Sequence, residues 1–305
     1  MTITPAIEHK PFAVLPPAPA PLNTRASWGD WGLWEAPKRI FTARVLCWML
    51  AIFAASVIVG EVYAQANGAQ RPGVVETIMR WLPLILLGPP GQIGGFLLNI
   101  LVSFLTMAIG TVTGVVLGVL LVSRGAILRW FAWAVTQFFR NSPWLVLLFF
   151  AILLLPYRVN AFGTVFPFPD WIKAVIGLAL PIMANIAEIT RGAINSIPTG
   201  QWESAESLAF SRPQTFRLII LPQCIKRMLP PWMNWYAILT MATTLISIVG
   251  VSDSMTLTGQ ALAAEGGRSE LLIPMYGLLL LLFFIYCYPI ARFTQYLERR
   301  YALVT

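Results

Sequence analysis

Charge is what this sequence has least of. Only 11% of its 305 residues are Asp, Glu, Lys or Arg, while 57% are apolar; a water-soluble domain carries about a quarter charged residues. So few charges cannot cover a chain of this length, and lipid must solvate part of it. Cysteine and histidine are also scarce: Cys47, Cys224, Cys287 and His9. Two of the cysteines lie in apolar runs and none stands in a C-x-x-C pair, so neither a disulfide framework nor a zinc site can be read here. His9 sits in the amino-terminal tail, which leaves the apolar body without a catalytic histidine. The phosphate-cradling run G-x-x-x-x-G-K-[ST] is missing. So are H-E-x-x-H and G-x-S-x-G, and no G-x-G-x-x-G stands in a strand–helix setting.

What is abundant is long apolar sequence, with a mean hydropathy of +0.72. A spanning helix needs about 20 mainly apolar residues. Six spans are predicted, over 41–64, 96–121, 143–157, 173–190, 233–251 and 272–292, and hence an all-α, multi-pass membrane protein. Residues 1–38 hold Pro5, Pro11, Pro16, Pro17, Pro19 and Pro21 and no periodic apolar face, and read as a disordered tail. Residues 39–95 are read as the first span and an external segment, in which 80–95, with Gly88-Pro89-Pro90-Gly91, dips toward the membrane. The formal charge of +8 sits between apolar runs, so the positive-inside rule explains it more simply than nucleic-acid binding does. With the amino terminus inside, only Arg71, Arg80, Arg158, Lys173 and Arg268 of the 21 Lys and Arg fall outside. That bias predicts both termini in the cytoplasm.

This topology puts the longest charged loop, 191–231, in the cytoplasm, and its sequence is that of ordered structure. Thr199 can cap one short helix. Ser211 can cap a second, with Gln214 completing a capping box. Pro222 is expected to stop that second helix. Ala205 and Ala209 lie one turn apart beside Trp202, and such small residues let a helix sit close inside a partner's groove. Glu203 and Glu206 lie near its amino end, where negative charge suits the helix dipole.

The loop resembles the EAA loop of ABC-importer permeases, the coupling helix that sits in a cleft of the ATPase subunit. Glu203, Ala205, Ala209 and Ile220-Leu221-Pro222 fall at matching places, with Ser204 and Ala209 standing where the family has Ala and Gly. Arg140-Asn141-Ser142-Pro143-Trp144-Leu145, Glu188-x-x-Arg191-Gly192, Gly200-Gln201-x-Glu203, Leu221-Pro222-Gln223, Leu229-Pro230-Pro231, Asn234 and Leu297-Glu298-Arg299-Arg300 are similar to the polar-amino-acid branch of these permeases. The likeness covers about residues 96–300. It implies a type I ABC importer permease fold in a bacterial inner membrane, and transport of polar or charged L-amino acids. It also implies that the chain is not an enzyme and carries no cofactor, ATP and magnesium being bound by partner ATPase subunits. The other implied partners are a second permease subunit, an extracytoplasmic substrate-binding protein, the amino-acid substrate and the lipid bilayer. The coupling residues carried over are Gly200, Gln201, Glu203, Ala205, Ala209, Ser211, Leu221 and Pro222.

Polar stripes on the spans can be read without the family. Asn99, Ser103, Thr106, Gly110 and Thr113 share one helix face, and Gly110, Gly114 and Gly118 form a small-residue run suited to close packing in lipid. Asn99 is either part of that packing or part of a path. Asn185 and Glu188 lie on one side of the fourth span, and Asn185, the deeper of the two, is the better candidate for substrate contact on a path. An ionisable group there normally faces the bundle interior; Glu188 either forms a structural pair with Arg191 or takes part in gating. Tyr236, Thr240, Thr243, Thr244 and Ser247 fall within an arc of about 100° if the helix is regular, and either line a path or pack helices. Arg140, Asn141 and Pro143 mark a helix start, with Ser142 as its cap, or an inner gate. The first and last spans lack polar stripes and are expected to face lipid. Two other functions stay open: an ABC permease for an osmolyte, and an ion-coupled secondary transporter, which would need carboxylates at the midplane.

Overall fold

The computed structural model describes residues 32–66, 72–161 and 164–301. Most of the proline-rich tail lies outside the described residues. Helix α1 runs over Gly32–Ala66, so residues 32–38, expected as tail, are helical. The chain forms two units, Met1–Ile52 and Phe53–Thr305. In the first, the described part is the opening of α1. The second unit holds everything that follows.

Helix α2 (Val74–Leu87) buries Val74, Thr77, Ile78 and Ile85, a spacing of three, four and seven residues that puts them on one face. It gives helical structure to part of the segment expected between the first two spans. Gly88 ends it at φ +86°, and a Cβ there would meet the backbone of Gly94 at 2.5 Å. Glycine is therefore required at this turn both conformationally and sterically. Next come α3 (Gly95–Leu121), α4 (Ala126–Arg140) and α5 (Trp144–Leu154). A hairpin of β1 (Arg158–Ala161) and β2 (Thr164–Pro167) pairs Arg158 with Pro167 and Ala161 with Thr164. Helix α6 (Asp170–Asn195) leads to α7 (Thr199–Ser207). A continuous rod follows: α8 (Arg212–Gln214), a π-helical stretch (Thr215–Ile220), α9 (Leu221–Ala242) and a 3₁₀ stretch (Thr243–Val249). Helices α10 (Ser254–Ala264) and α11 (Ser269–Tyr301) complete the described chain.

Five of these segments are long and apolar enough to cross a membrane: Val45–Tyr63, Gly95–Leu121, Asp170–Asn195, Arg212–Val249 and Ser269–Arg300. The expected third span is corrected. Its helix α5 has 11 residues, about 17 Å at 1.5 Å per residue. It becomes a sixth crossing only together with α4, from which it is bent by 103°. Among the described residues the protein is helical apart from one small hairpin. The hairpin, α4 and α10 are not legible in the six-span reading.

Helix α6 is the centre of the second unit, with 67% of its apolar window buried, against 6% for α1. Its main neighbour is α3. A Cβ at Gly110 would lie 2.5 Å from Ile182 Cγ2, one at Gly114 2.6 Å from the Met183 carbonyl, and one at Gly118 2.7 Å from the Ala187 carbonyl. The expected small-residue packing is thus present, with α6 as its partner. Leu98, Val102, Met107, Leu178, Ile182 and Ile186 seal this contact, joined by Leu239 and Ile246 of the rod. The last span is less plain than expected. Tyr286 and Phe283 of α11 meet Phe96 edge-on, and Met275, Leu279 and Cys287 are buried.

Candidate functional site

The loop between α6 and the rod is short and rigidly based. Helix α6 continues to Asn195, and the rod begins at Arg212, so the loop proper is 196–211 rather than 191–231. Thr199 is the first helical residue of α7, and Pro198 takes the cap position assigned to it. Beneath α7, Ala193, Ile194 and Ile197 of α6 and its turn pack with Ile220 and Cys224 of the rod, and Trp202 and Phe216 close over them. Gln223 of α9 donates to Gln201 of α7 at 3.4 Å and to the Ile219 carbonyl at 3.0 Å. Arg227 donates to the carbonyl and hydroxyl of Ser196. A push on α7 therefore reaches both α6 and α9 through packed side chains and hydrogen bonds.

The two alanines of the loop do different things. Ala205 is buried inward, against the protein rather than toward a partner. Ala209 stands at φ +58°, the only non-glycine with positive φ among the described residues. The position where the family has glycine thus keeps the left-handed backbone. It is held there by Ala209 N–H to the Glu206 carbonyl and Phe210 N–H to the Ala205 carbonyl, at 2.9 and 3.1 Å. Ser211 then caps α8 as its sequence suggests: Gln214 Oε1 accepts from the Ser211 N–H and hydroxyl, each at 2.8 Å. Pro222 does not stop the helix. The π-helical stretch comes immediately before it and Leu221. A wider turn changes which carbonyl faces the missing N–H, so the ring is accommodated without breaking the rod. Gly200, Gln201, Glu203, Glu206 and Pro222 are exposed. Beside them stands Leu208, 71% exposed at the tip.

At the opposite end of the rod lies a polar seam. Asn99 is fully buried and satisfied on both sides of its amide. Its Nδ2 donates to Thr243 Oγ1 (3.1 Å) and Asp253 Oδ2 (3.2 Å), and its Oδ1 accepts from the Ser254 N–H and hydroxyl. It joins α3, the 3₁₀ stretch and α10. Asp253 also caps α10 by accepting from Thr256 N–H. Burial pushes its carboxyl above the usual 3.8, against the opposing pull of the Thr256, Asn99 and Met255 donors. Sequence reasoning missed Asp253. The Asp-x-x-Thr capping pattern was the available signal, but the stretch read as a loop after the fifth span.

The five-residue arc divides because the helix tightens. At three residues per turn, side chains advance by about 120° rather than 100° from Thr243 onward. Thr240 and Thr243 are buried, whereas Tyr236, Thr244 and Ser247 are half-buried and Met241 and Ile248 are exposed. The four Ser and Thr hydroxyls donate to carbonyls three or four residues back. Tyr236 shares a 2.8 Å bond with Tyr286 of α11 and stacks on Trp232. Asn185, on α6, is buried and donates to the Pro181 carbonyl.

Glu188 is the hub of a third cluster. It accepts from Arg191 Nε and Nη2 at 2.9 and 2.7 Å, lies 3.9 Å from Arg140 and accepts from Gln137 at 3.4 Å. The expected Glu188–Arg191 pair is present, and it also reaches α4. Asn141 and Ser142 donate to the Gln137 and Phe138 carbonyls. They therefore finish α4, and Pro143 rather than Ser142 occupies the cap position of α5. No group of three or more metal-binding side chains is found among the described residues.

The described chain is thus a multi-helix bundle with five candidate spans and a capped loop bonded to two of them. Residues 110–303 match the family described as "Binding-protein-dependent transport system inner membrane component", and the chain belongs to that family. It is 38% identical over 213 residues to the "Probable amino-acid ABC transporter permease protein YckA" of Bacillus subtilis, covering 70% of this chain and 90% of that one. It is 34% identical over 180 residues to the "Glutamine transport system permease protein GlnP" of Escherichia coli, covering 59% and 80%. The fold matches the crystal structure of an amino acid ABC transporter with histidines, with a TM-score of 0.62 at 22% identity, over 76% of this chain and 100% of that one. The chain is a multi-pass permease subunit of an ABC importer.

Proposed function

We propose that this permease carries polar or charged L-amino acids into the cytoplasm of a bacterium, driven by ATP hydrolysed on partner subunits. The observation that carries this is the α7–α8 element. Its Glu203, Glu206 and Leu208 are exposed, as a docking element requires, and its base is bonded to α6 and α9. The names of the similar permeases support amino acids as the substrate class. The loop end is assigned to the cytoplasm, with both termini, by the excess of Lys and Arg on that side. A second permease subunit, an ATPase pair holding ATP and magnesium, and an extracytoplasmic binding protein complete the assembly. Closure of the ATPases would move α7 and swing α6 and the rod together, a rigid-body gating motion. Thr244, Ser247, Tyr236 and Asn185 are assigned to the path, whereas Asn99, Thr240 and Thr243 brace its wall. Glu188, Arg191, Arg140, Asn141 and Pro143 form the inner gate region.

Ion coupling is disfavoured by the acidic groups. Among the described spans, Glu61, Asp170, Glu188, Glu270 and Glu298 all lie within about two turns of a helix end, away from the midplane where a coupling carboxylate belongs. The test is uptake of radiolabelled amino acids into proteoliposomes containing the permease, its ATPase and its binding protein. Uptake is expected only with ATP; equal uptake under an ion gradient without ATP would overturn the reading. Glu203→Lys should leave the chain in the membrane and lower ATP-driven uptake by about tenfold, the loss of one interfacial charge contact. Unchanged uptake and ATPase association would remove α7 from the coupling role.

A further inference from the structure

We propose that the cleft between α4 and the carboxy-terminal end of α6 is a binding site for an anionic phospholipid. It encloses about 590 Å³ between Arg129, Trp130, Trp133 and Gln137 of α4 and Glu188 and Arg191 of α6.

The first observation is the character of α4. Its 15 residues extend about 22 Å, short of the roughly 30 Å hydrocarbon core. Only Ala132 and Thr136 are buried, while Trp130, Trp133 and Phe138 are each more than half exposed. Its Arg129–Trp133 portion, with a guanidinium beside indole rings, suits the boundary between headgroups and acyl chains, and the crossing continues from there into α5.

The second observation is charge. Glu188 is the one carboxylate in the cleft. It is occupied by Arg191 through two bonds of 2.7 and 2.9 Å, with Arg140 at 3.9 Å. Arg129 has a bond to the Ser123 carbonyl at 3.3 Å and no ion pair among the described residues. The cleft therefore carries surplus positive charge beside two indole walls. A guanidinium satisfies a phosphate through paired N–H donors, and basic pockets between membrane helices suit anionic headgroups. A phosphodiester with two acyl chains matches both the charge and the walls. An amino acid does not, because its ammonium group would meet a carboxylate already neutralised by two arginines. A lipid seated there would tie α4 to α6 across the Glu188 cluster.

The test uses the full-length permease, purified and delipidated in detergent. It is titrated with phosphatidylglycerol, with phosphatidylcholine of the same chains and with inorganic phosphate, and bound species are counted by native mass spectrometry. Phosphatidylglycerol should be retained in preference to phosphatidylcholine. Arg129→Gln should weaken its retention about fivefold, the effect of one basic residue at a membrane surface. Trp133→Ala should weaken it as well, while Arg124→Gln, outside the cleft, should not. Circular dichroism and thermal unfolding establish that each variant is folded. Equal retention of the two lipids overturns the proposal. So does phosphatidylglycerol binding unchanged by Arg129→Gln, binding matched by inorganic phosphate alone, or displacement by amino acids. None of these outcomes depends on which amino acid is transported.

Discussion

Ala209 shows how one side chain can leave a bend intact yet strained. An L-residue in the left-handed region costs about 1–2 kcal/mol, and the hydrogen bonds around φ +58° hold it there. Ala209→Gly is therefore expected to raise the thermal midpoint in detergent by an amount equivalent to about 1 kcal/mol, and Ala209→Val to lower it. A second residue-scale expectation concerns Asn99. Its replacement by Ala removes the partner of the Ser254 N–H and hydroxyl and of one Asp253 oxygen, at a cost of about 1–3 kcal/mol. The carboxyl of Asp253 is raised above 3.8 in the folded state. Its contribution to stability is thus fully present below pH 3.8 and lost as pH rises through the folded value. Asn99→Ala removes a donor that opposes this upward shift, so the variant's loss of stability should grow as pH rises through the folded value. Chemical or thermal unfolding over a series of pH values from 3.8 upward checks the sign. Neither residue's role was legible in its sequence pattern. Ala209 departs from the glycine expected at its place, and Asn99 owes its partners to residues 144 to 155 positions away.

At the scale of elements, the reading succeeded where one physical signal dominated. Long apolar runs gave five spans, and Gly110, Gly114 and Gly118 gave the packed face. Substituting Leu at Gly114 puts a side chain where even a Cβ would meet the Met183 carbonyl and Ile186. Overpacking of this kind costs about 1–3 kcal/mol or more. It should lower the thermal midpoint and weaken disulfide cross-linking between cysteines placed on α3 and α6. Valine at Thr113, which is exposed, should change neither. Elements were missed where two signals conflicted. In α4, Arg129 and Arg140 interrupt the hydropathy, and α5 is too short to span alone. Pro222 was over-read as a stop: it sits inside the rod, as do Pro230 and Pro231, and the π turn just before it accommodates its ring.

For the whole molecule, sidedness is the property that composition foretells and geometry makes testable. Leu208 marks the tip of the coupling loop and Val165 the hairpin, and both are exposed. Single cysteines there, in a background with Cys47, Cys224 and Cys287 removed, should react with a membrane-impermeant maleimide from opposite sides in intact cells and inverted vesicles. Labelling of both from one side would refute the alternating assignment of the helices. The motifs around 199–222 identified the coupling loop, but its stiffness was not legible there. That stiffness arises from Gln223 and Arg227, which lie within the first two turns of α9.

The tightened stretch Thr243–Val249 gives the rod a steeper pitch at the end away from the loop. Seven residues rising about 2.0 Å each in a 3₁₀ helix would rise about 1.5 Å each in an α-helix, so rewinding them draws one end in by about 3.5 Å. It also turns that end by about 140°, at some 20° per residue. Thr244 and Ser247 lie on this thread, and Asn99 grips it at Thr243. That bond fixes the phase in which Thr244 and Ser247 are presented, some thirty residues along the same helix from the loop.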